Sequence, residues 1–303
     1  ASRTMLLDIS KNNWDEDLLS CFGLHASNLP TPKPSNAEFG TTSLLGGDIP
    51  IRAIMGDQQA SLFGHECWES GTGKCTFGTG AFLLVNSGTK RERSDSGLLS
   101  TIAWQIGSEP RCFALEGSVF VAGSLVQWMR DKLKFFKEAK DSEQLALSVA
   151  NSGGVLLIPA FVGLGAPYWS EKVRGAMFGL TRDTSQAHLA RAGLEAVCHQ
   201  VADLLDLPEL QSVSRLRIDG GMARNDLFCQ LLANHCDVEI EPAPSSEITG
   251  KGAGALAAAG AVFGNDLGAM RTSFFAEKSA EKKFTPNADL SSERKRWKHA
   301  VGG

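Results

Sequence analysis

Four short apolar runs, at 75–77, 82–86, 99–105 and 112–115, are separated by segments rich in Gly, Ser and Pro. Such spacing reads as consecutive antiparallel strands. After Glu116-Gly117 the period changes, and Val121, Leu125, Trp128 and Met129 recur at helical spacing to give one apolar face. Helix and strand then alternate: a helix at 143–149, strands at 155–161 and 175–180, and a long helix at 185–207 striped with Leu194, Val197, Val201, Leu204 and Leu205. A strand holding Leu216 and Ile218 ends in Asp219-Gly220-Gly221, a helix starts near Met222, a strand holds Val238 and Ile240, and a helix covers about 252–262. Antiparallel strands followed by this alternation predict an α/β fold with a mixed sheet flanked by helices. Upstream come a short helix near 14–21, a Pro-rich loop at 29–34 and a strand-like run at 49–55. The charged, Ser-rich end reads as a peripheral tail with a final helix at 292–301.

Two small-residue motifs interrupt the apolar pattern. Gly56-Asp57-Gln58-Gln59-Ala60 puts a carboxylate beside amide side chains at the end of an apolar run, and Gly78-Thr79-Gly80 lies inside a second such run. Phosphoryl transfer uses such parts: a carboxylate to take a hydroxyl proton and a turn whose backbone N–H groups can approach phosphate. Each fragment alone also fits a helix cap or a hairpin turn. Gly220-Gly221, between a strand and a helix, lets backbone pass close to a ligand, with Asn225 one turn later to hold a ribose or purine edge. Gly123 and Gln127 stand one helical turn apart, a spacing equally suited to plain packing. Gly250-Lys251-Gly252-Ala253-Gly254 lacks the P-loop pattern, and no dinucleotide fingerprint or serine-hydrolase elbow occurs.

Composition narrows the classes further. The formal net charge of −4 and the short, interrupted basic stretches at 90–93 and 294–298, read as solvated faces, argue against a nucleic-acid partner. Seven scattered cysteines without a Cys-x-x-Cys pair fit reduced thiols in a cytoplasmic protein. The histidines show no zinc-type spacing, so no metal-ligating residues are assigned. The longest small apolar stretch, 252–264, is too short and glycine-rich for a membrane span. The chain opens on Ala1, and its first residues read as the end of a larger domain.

Seven blocks in order resemble the FGGY family of carbohydrate kinases: GDQQASLFGH, GKCTFGTGAFLLVNSG, GLLSTIAW, ALEGSVFVAGSLVQWMRD, PAFVGLGAPYW, RGAMFGLTR and RIDGGMARNDLFCQ. ASRTMLLDI and GLGAPYW look more like the glycerol kinases of that family than its pentulose or gluconate kinases. The resemblance implies an actin-like (ribonuclease H-like) ATPase fold whose two domains close over a cleft. Residues 1–64 would finish the first domain, 65–275 would form the second, nucleotide-binding one, and 276–303 the tail. It implies ATP-dependent, Mg²⁺-assisted phosphorylation of glycerol to sn-glycerol 3-phosphate, with a homo-oligomer as the protein partner the family admits. Asp57 would be catalytic base and glycerol ligand, Gln58 a second ligand, and Phe82 an apolar wall. Thr79, with Gly80 beside it, would meet the nucleotide phosphates, and Gly123, Gln127, Gly221 and Asn225 would line the ATP site. The family's N-terminal phosphate hairpin and its other glycerol contacts belong upstream, so the chain alone is expected not to turn over. Gly250-Lys251 stand where the family usually has Ala-Leu, and Asp226 where a second Asn is common. The rival readings are a xylulose or gluconate kinase and a non-catalytic actin-like nucleotide-binding module.

Overall fold

The computed structural model describes residues 1–275 and 282–302. The chain begins with small units. Strands β1 (Leu7–Asp8) and β2 (Asn13–Trp14) form an antiparallel ribbon, and helix α1 (Glu16–Cys21) follows, capped by Asp15, whose carboxylate accepts from Leu18 N–H. A second ribbon pairs β3 (Gly40–Thr42) with β4 (Ile49–Ile51). The strand expected over 49–55 therefore stops early, and Asp57, expected at a strand end, opens helix α2 (Asp57–Gly64). Every α2 residue after Asp57 is buried, although Gln58, Gln59 and Ser61 are polar. A helix buried all round with polar residues inside has no apolar stripe for sequence periodicity to detect.

The main sheet starts with β5 (Gly73–Phe77), β6 (Ala81–Gly88), β7 (Leu99–Trp104) and β8 (Cys112–Val119). The four are antiparallel as expected but do not follow one another in space: β6 pairs with β8, and β7 lies at the edge beyond β8. Helices α3 (Gly123–Asp131) and α4 (Asp141–Leu147) come next. Strands β9 (Leu156–Ile158) and β10 (Ala176–Phe178) form an antiparallel pair of their own among the described residues. Long helix α5 (Gln186–Leu205) leads to β11 (Arg215–Gly220), then α6 (Asp226–Cys236) and β12 (Glu239–Pro242). Strand β11 lies parallel to both β5 and β12, so the sheet is mixed, in the order β12-β11-β5-β6-β8-β7. Helices α7 (Ile248–Ala261), α8 (Leu267–Phe274) and α9 (Ser291–Gly302) complete the chain.

Alternation along the strands sends neighbouring residues to opposite faces. Leu83 and Leu115 enter a core with Leu125, Val197 and Phe228, under α3, α5 and α6. Leu84 and Ala114 enter a second core with Leu62, Phe63, Leu256 and Met270, under α2, α7 and α8. Helix α2, expected from sequence to finish a first domain, thus packs on the main sheet. It can do so because small residues let it touch α7 backbone to backbone: a Cβ on Gly252 would lie 1.9 Å from Ala60 O, and one on Gly64 2.2 Å from Ile248 O.

The end of the chain lies on the surface but is anchored by one buried side chain. Trp297 of α9 is fully buried, stacks on His199 at 4.8 Å and donates from Nε1 to Asp203 Oδ2 at 2.6 Å. Arg294, read as part of a solvated face, pairs with Asp203 and Asp206 on and beside α5. One aromatic among charges carries no periodic signal, and the acidic partners lie far upstream. Residues 276–281 of the expected tail lie outside the described residues.

Candidate active site

Strands β5 and β11 run parallel with Gly220 opposite Phe77, so their carboxyl ends reach the same edge of the sheet. In open α/β sheets that edge is where ligands bind. Past it, β5 enters Gly78-Thr79-Gly80 and β11 enters Gly221. The start of α3 holds the first turn by its carbonyls. Gly123 N donates to Gly78 O at 3.0 Å, Ala122 N and Ser124 N donate to Thr79 O at 3.0 and 3.1 Å, and Ser124 Oγ donates there at 2.9 Å. The turn is therefore fixed while Gly78 and Thr79 stay exposed.

A cleft of about 510 Å³ opens over this edge. Gly78 and Thr79 form one side, and Gly123, Val126, Gln127 and Arg130, on one face of α3, form another. Gly221, Arg224 and Asn225 close it from β11 and α6, with Lys140 and Glu143 from α4. Five residues singled out from sequence, Thr79, Gly123, Gln127, Gly221 and Asn225, line this one cleft. Gly80 does not. It is buried, and a Cβ there would lie 2.4 Å from Val119 O, so its part is to let the hairpin turn against β8.

Asn225 differs from the expected position one turn inside a helix. It is the N-cap of α6, with Oδ1 accepting from Phe228 N at 2.7 Å, while Glu143 Oε1 accepts from Leu227 N at 2.9 Å. These oxygens already occupy the N–H groups that would otherwise draw an anion to the helix start. The cationic side chains that line the cleft are Arg130, Lys140 and Arg224.

Asp57, Gln58 and Phe82 lie outside this cleft. Asp57 is exposed at the start of α2, with Oδ1 accepting from Gln58 N at 2.8 Å. Gln58 is buried and Phe82 half-buried on β6. Beneath them lies a polar cluster that the sequence reading missed. Lys74, fully buried on β5, donates from Nζ to Gln58 Oε1, to Thr76 Oγ1 at 2.8 Å and to Phe82 O at 3.5 Å. Burial pulls the Lys74 pKa down to about 8 against the opposing pull of Asp219. Asp219, the residue before Gly220, accepts through Oδ2 from Ser61 Oγ at 2.9 Å and contacts His65 Nε2 at 3.1 Å. Burial works to raise the Asp219 carboxyl, but hydrogen bonds from His65 and Thr76 and the Lys74 charge outweigh it and hold the pKa below the usual range. Burial also pushes the His65 pKa down, with Asp219 opposing. The available signal was Lys74 and Thr76 at alternate positions of an otherwise apolar strand.

The departures at 226 and 251 have ordinary places. Asp226 pairs with Lys282 at 2.8 Å, and the Lys251 ammonium lies 4.7 Å from the centre of the Phe275 ring.

A family model described as the C-terminal domain of the FGGY family of carbohydrate kinases matches residues 73–261, and its N-terminal counterpart matches 1–64. The chain belongs to the FGGY family of carbohydrate kinases. Among its FGGY relatives is a glycerol kinase of Bdellovibrio bacteriovorus, 44% identical over 99% of this chain and 62% of the relative. Another, from Symbiobacterium thermophilum, is 45% identical over 99% of this chain and 61% of its own length. The fold is shared with Plasmodium falciparum glycerol kinase solved with ADP, at a TM-score of 0.87 and 33% identity over 98% of this chain and 61% of that one. A xylulose kinase from Lactobacillus acidophilus, at 0.82 and 20% identity over 98% of this chain and 62% of that one, shares the fold alone. The expected actin-like architecture, a mixed sheet flanked by helices, is that of these FGGY kinases. The chain spans about three-fifths of the length of the curated relatives it matches.

Proposed function

We propose that these residues serve an ATP-dependent glycerol kinase, in which the γ-phosphoryl group passes to a terminal hydroxyl of glycerol to give sn-glycerol 3-phosphate and ADP. The observation that carries this reading is the convergence of Thr79, Gly123, Gln127, Gly221 and Asn225 on one cleft at the carboxyl ends of β5 and β11. The glycerol assignment draws its support from the relatives named glycerol kinase at 44–45% identity. In this reading the Gly78-Thr79 turn meets the phosphates, while Gln127 and Asn225 meet the nucleoside. Asp57 takes the proton as the glycerol oxygen bonds to phosphorus and the bond to the bridging oxygen of ADP breaks. Gln58 and Phe82 hold the polyol. Most of the acceleration then comes from positioning and charge stabilisation.

Mg²⁺ takes oxygen ligands and keeps several waters, binding through one or two carboxylates together with substrate phosphates. No group of three or more His, Cys, Asp or Glu side chains among the described residues could hold a metal by itself. The residue that fits such an ion here is Asp219, whose buried Oδ1 has no hydrogen-bond partner among the described residues. When bound, the ion would supply neutralisation of the phosphate charge. All seven cysteines are free thiols, which supports a cytoplasmic setting. No described helix is long and apolar enough to cross a membrane.

The test is a panel of polyols and sugars assayed with ATP on the full-length gene product that contains these residues. Glycerol should be the preferred acceptor. A preference for xylulose or gluconate would overturn the substrate, and no phosphoryl transfer to any of them would overturn the reaction.

A further inference from the structure

Lys74 donates to both side-chain-bearing walls assigned to the polyol, through the Gln58 side chain and the Phe82 carbonyl. A primary amide has two chemically opposite ends, and nothing in a glutamine by itself decides which end faces a ligand. An ammonium decides it, because it can only donate. The Gln58 atom facing Lys74 must be the oxygen, and the Nε2 group is turned away from the ammonium. Gln58 Nε2 has no hydrogen-bond partner among the described residues and is not one of the buried unpartnered atoms. With its pKa held at about 8, Lys74 is still an ammonium near neutral pH.

We propose that Lys74 is a positioning residue: it locks the Gln58 amide with Nε2 outward, so that Gln58 recognises a polyol hydroxyl as a donor to its oxygen. This rests on the reading of Gln58 as a substrate ligand. Thr76 Oγ1, 2.8 Å from Lys74 Nζ, holds the ammonium from the side of the strand and keeps it aimed under α2. Lys74 touches neither reactant and acts through Gln58.

The experiment measures KM for glycerol and for ATP, with kcat, in the full-length gene product carrying Lys74→Met, Gln58→Leu, both together, and Gln58→Glu. Lys74→Met should raise the glycerol KM about tenfold, as expected for one misdirected hydrogen bond, and leave the ATP KM unchanged. In the Gln58→Leu background it should add nothing further, a non-additivity that a merely structural lysine would not produce. Gln58→Glu keeps a partner for the Lys74 ammonium but presents an acceptor outward. It should raise the glycerol KM about as much as Gln58→Leu, and it serves as the test if Lys74→Met does not fold. An unchanged glycerol KM in Gln58→Glu, or additive losses in the double variant, would overturn the role of Lys74 while leaving Gln58 a ligand. An unchanged KM in Gln58→Leu would instead remove the reading of Gln58 itself, and this proposal with it.

Discussion

Gly220 stands opposite Phe77 across β11 and β5, and a Cβ added to Gly220 would meet the Phe77 carbonyl oxygen at 2.2 Å. Its φ of +91° is also one that side-chain-bearing residues rarely adopt. Neither problem is relieved by rotating a side chain, since the obstacle is backbone. Gly220→Ala should therefore cost roughly 2–5 kcal/mol of stability through strain and overpacking. Gly221, one residue on, has nothing within 4 Å of a built Cβ and faces the cleft. Gly221→Ala should keep stability within about 0.5 kcal/mol while weakening ADP binding. Urea unfolding together with calorimetric ADP titration separates the two. Equal destabilisation by both substitutions would contradict the geometry.

Asp57 is exposed and, among the described residues, holds only the Gln58 N–H, so its second carboxylate oxygen is available to a substrate. Asp57→Asn in the full-length gene product should lower kcat by about 10²–10⁴-fold, the usual worth of a general base, with the ATP KM preserved. Near-normal turnover would reduce Asp57 to a helix-start residue.

At Asn225 two roles can be pulled apart. Its Oδ1 caps α6, and the residue lines the cleft proposed above to take the nucleoside. Asn225→Ala should lose about 1 kcal/mol of stability through the cap and also raise the ATP KM. Asn225→Asp restores a capping oxygen but no donor, so stability should recover while ATP binding stays weak. If the glycerol KM moves instead of the ATP KM in either variant, the nucleoside assignment fails.

The His199–His235 pair, ring centres 4.3 Å apart, makes acid stability measurable. Burial, then the charges of His235, Arg294 and Arg296, hold the His199 pKa at about 2; burial, then Arg294 and Arg191, hold that of His235 at about 3. Unfolded histidine titrates near 6.5, so below about pH 6.5 the unfolded chain binds protons that the native one refuses. Stability must fall as the pH drops through that window, by about 1.4 kcal/mol per pH unit for each such group. His65, its pKa also lowered by burial, adds in the same sense. His235→Leu should remove one proton's share of the slope between pH 6.5 and 5 in urea unfolding. An undiminished slope would mean that His235 is protonated in the native state.

Much of this molecule could be read along the chain because the signals are local. The α5 stripe, the alternation in β5 to β8 and the glycines after β5 and β11 are set by period and by turn conformations, which act over a few residues. The family blocks then carried the site residues by position, and of those that line the cleft Thr79, Gly123, Gly221 and Asn225 sit at strand ends or helix starts where such local rules apply, while Gln127 lies within α3. The tertiary structure decided what depends on partners distant in sequence. It placed β11 beside β5, moved β7 to the edge, and laid α2 on the sheet through Gly64 and Gly252. It also gathered Lys74 with Gln58, Asp219 with Ser61 and His65, and Trp297 with Asp203. A polar or charged side chain is tolerated in a core only when its partner is already there. That partner comes from another element, so the sequence around Lys74 shows a polar residue in an apolar strand without showing what it pairs with.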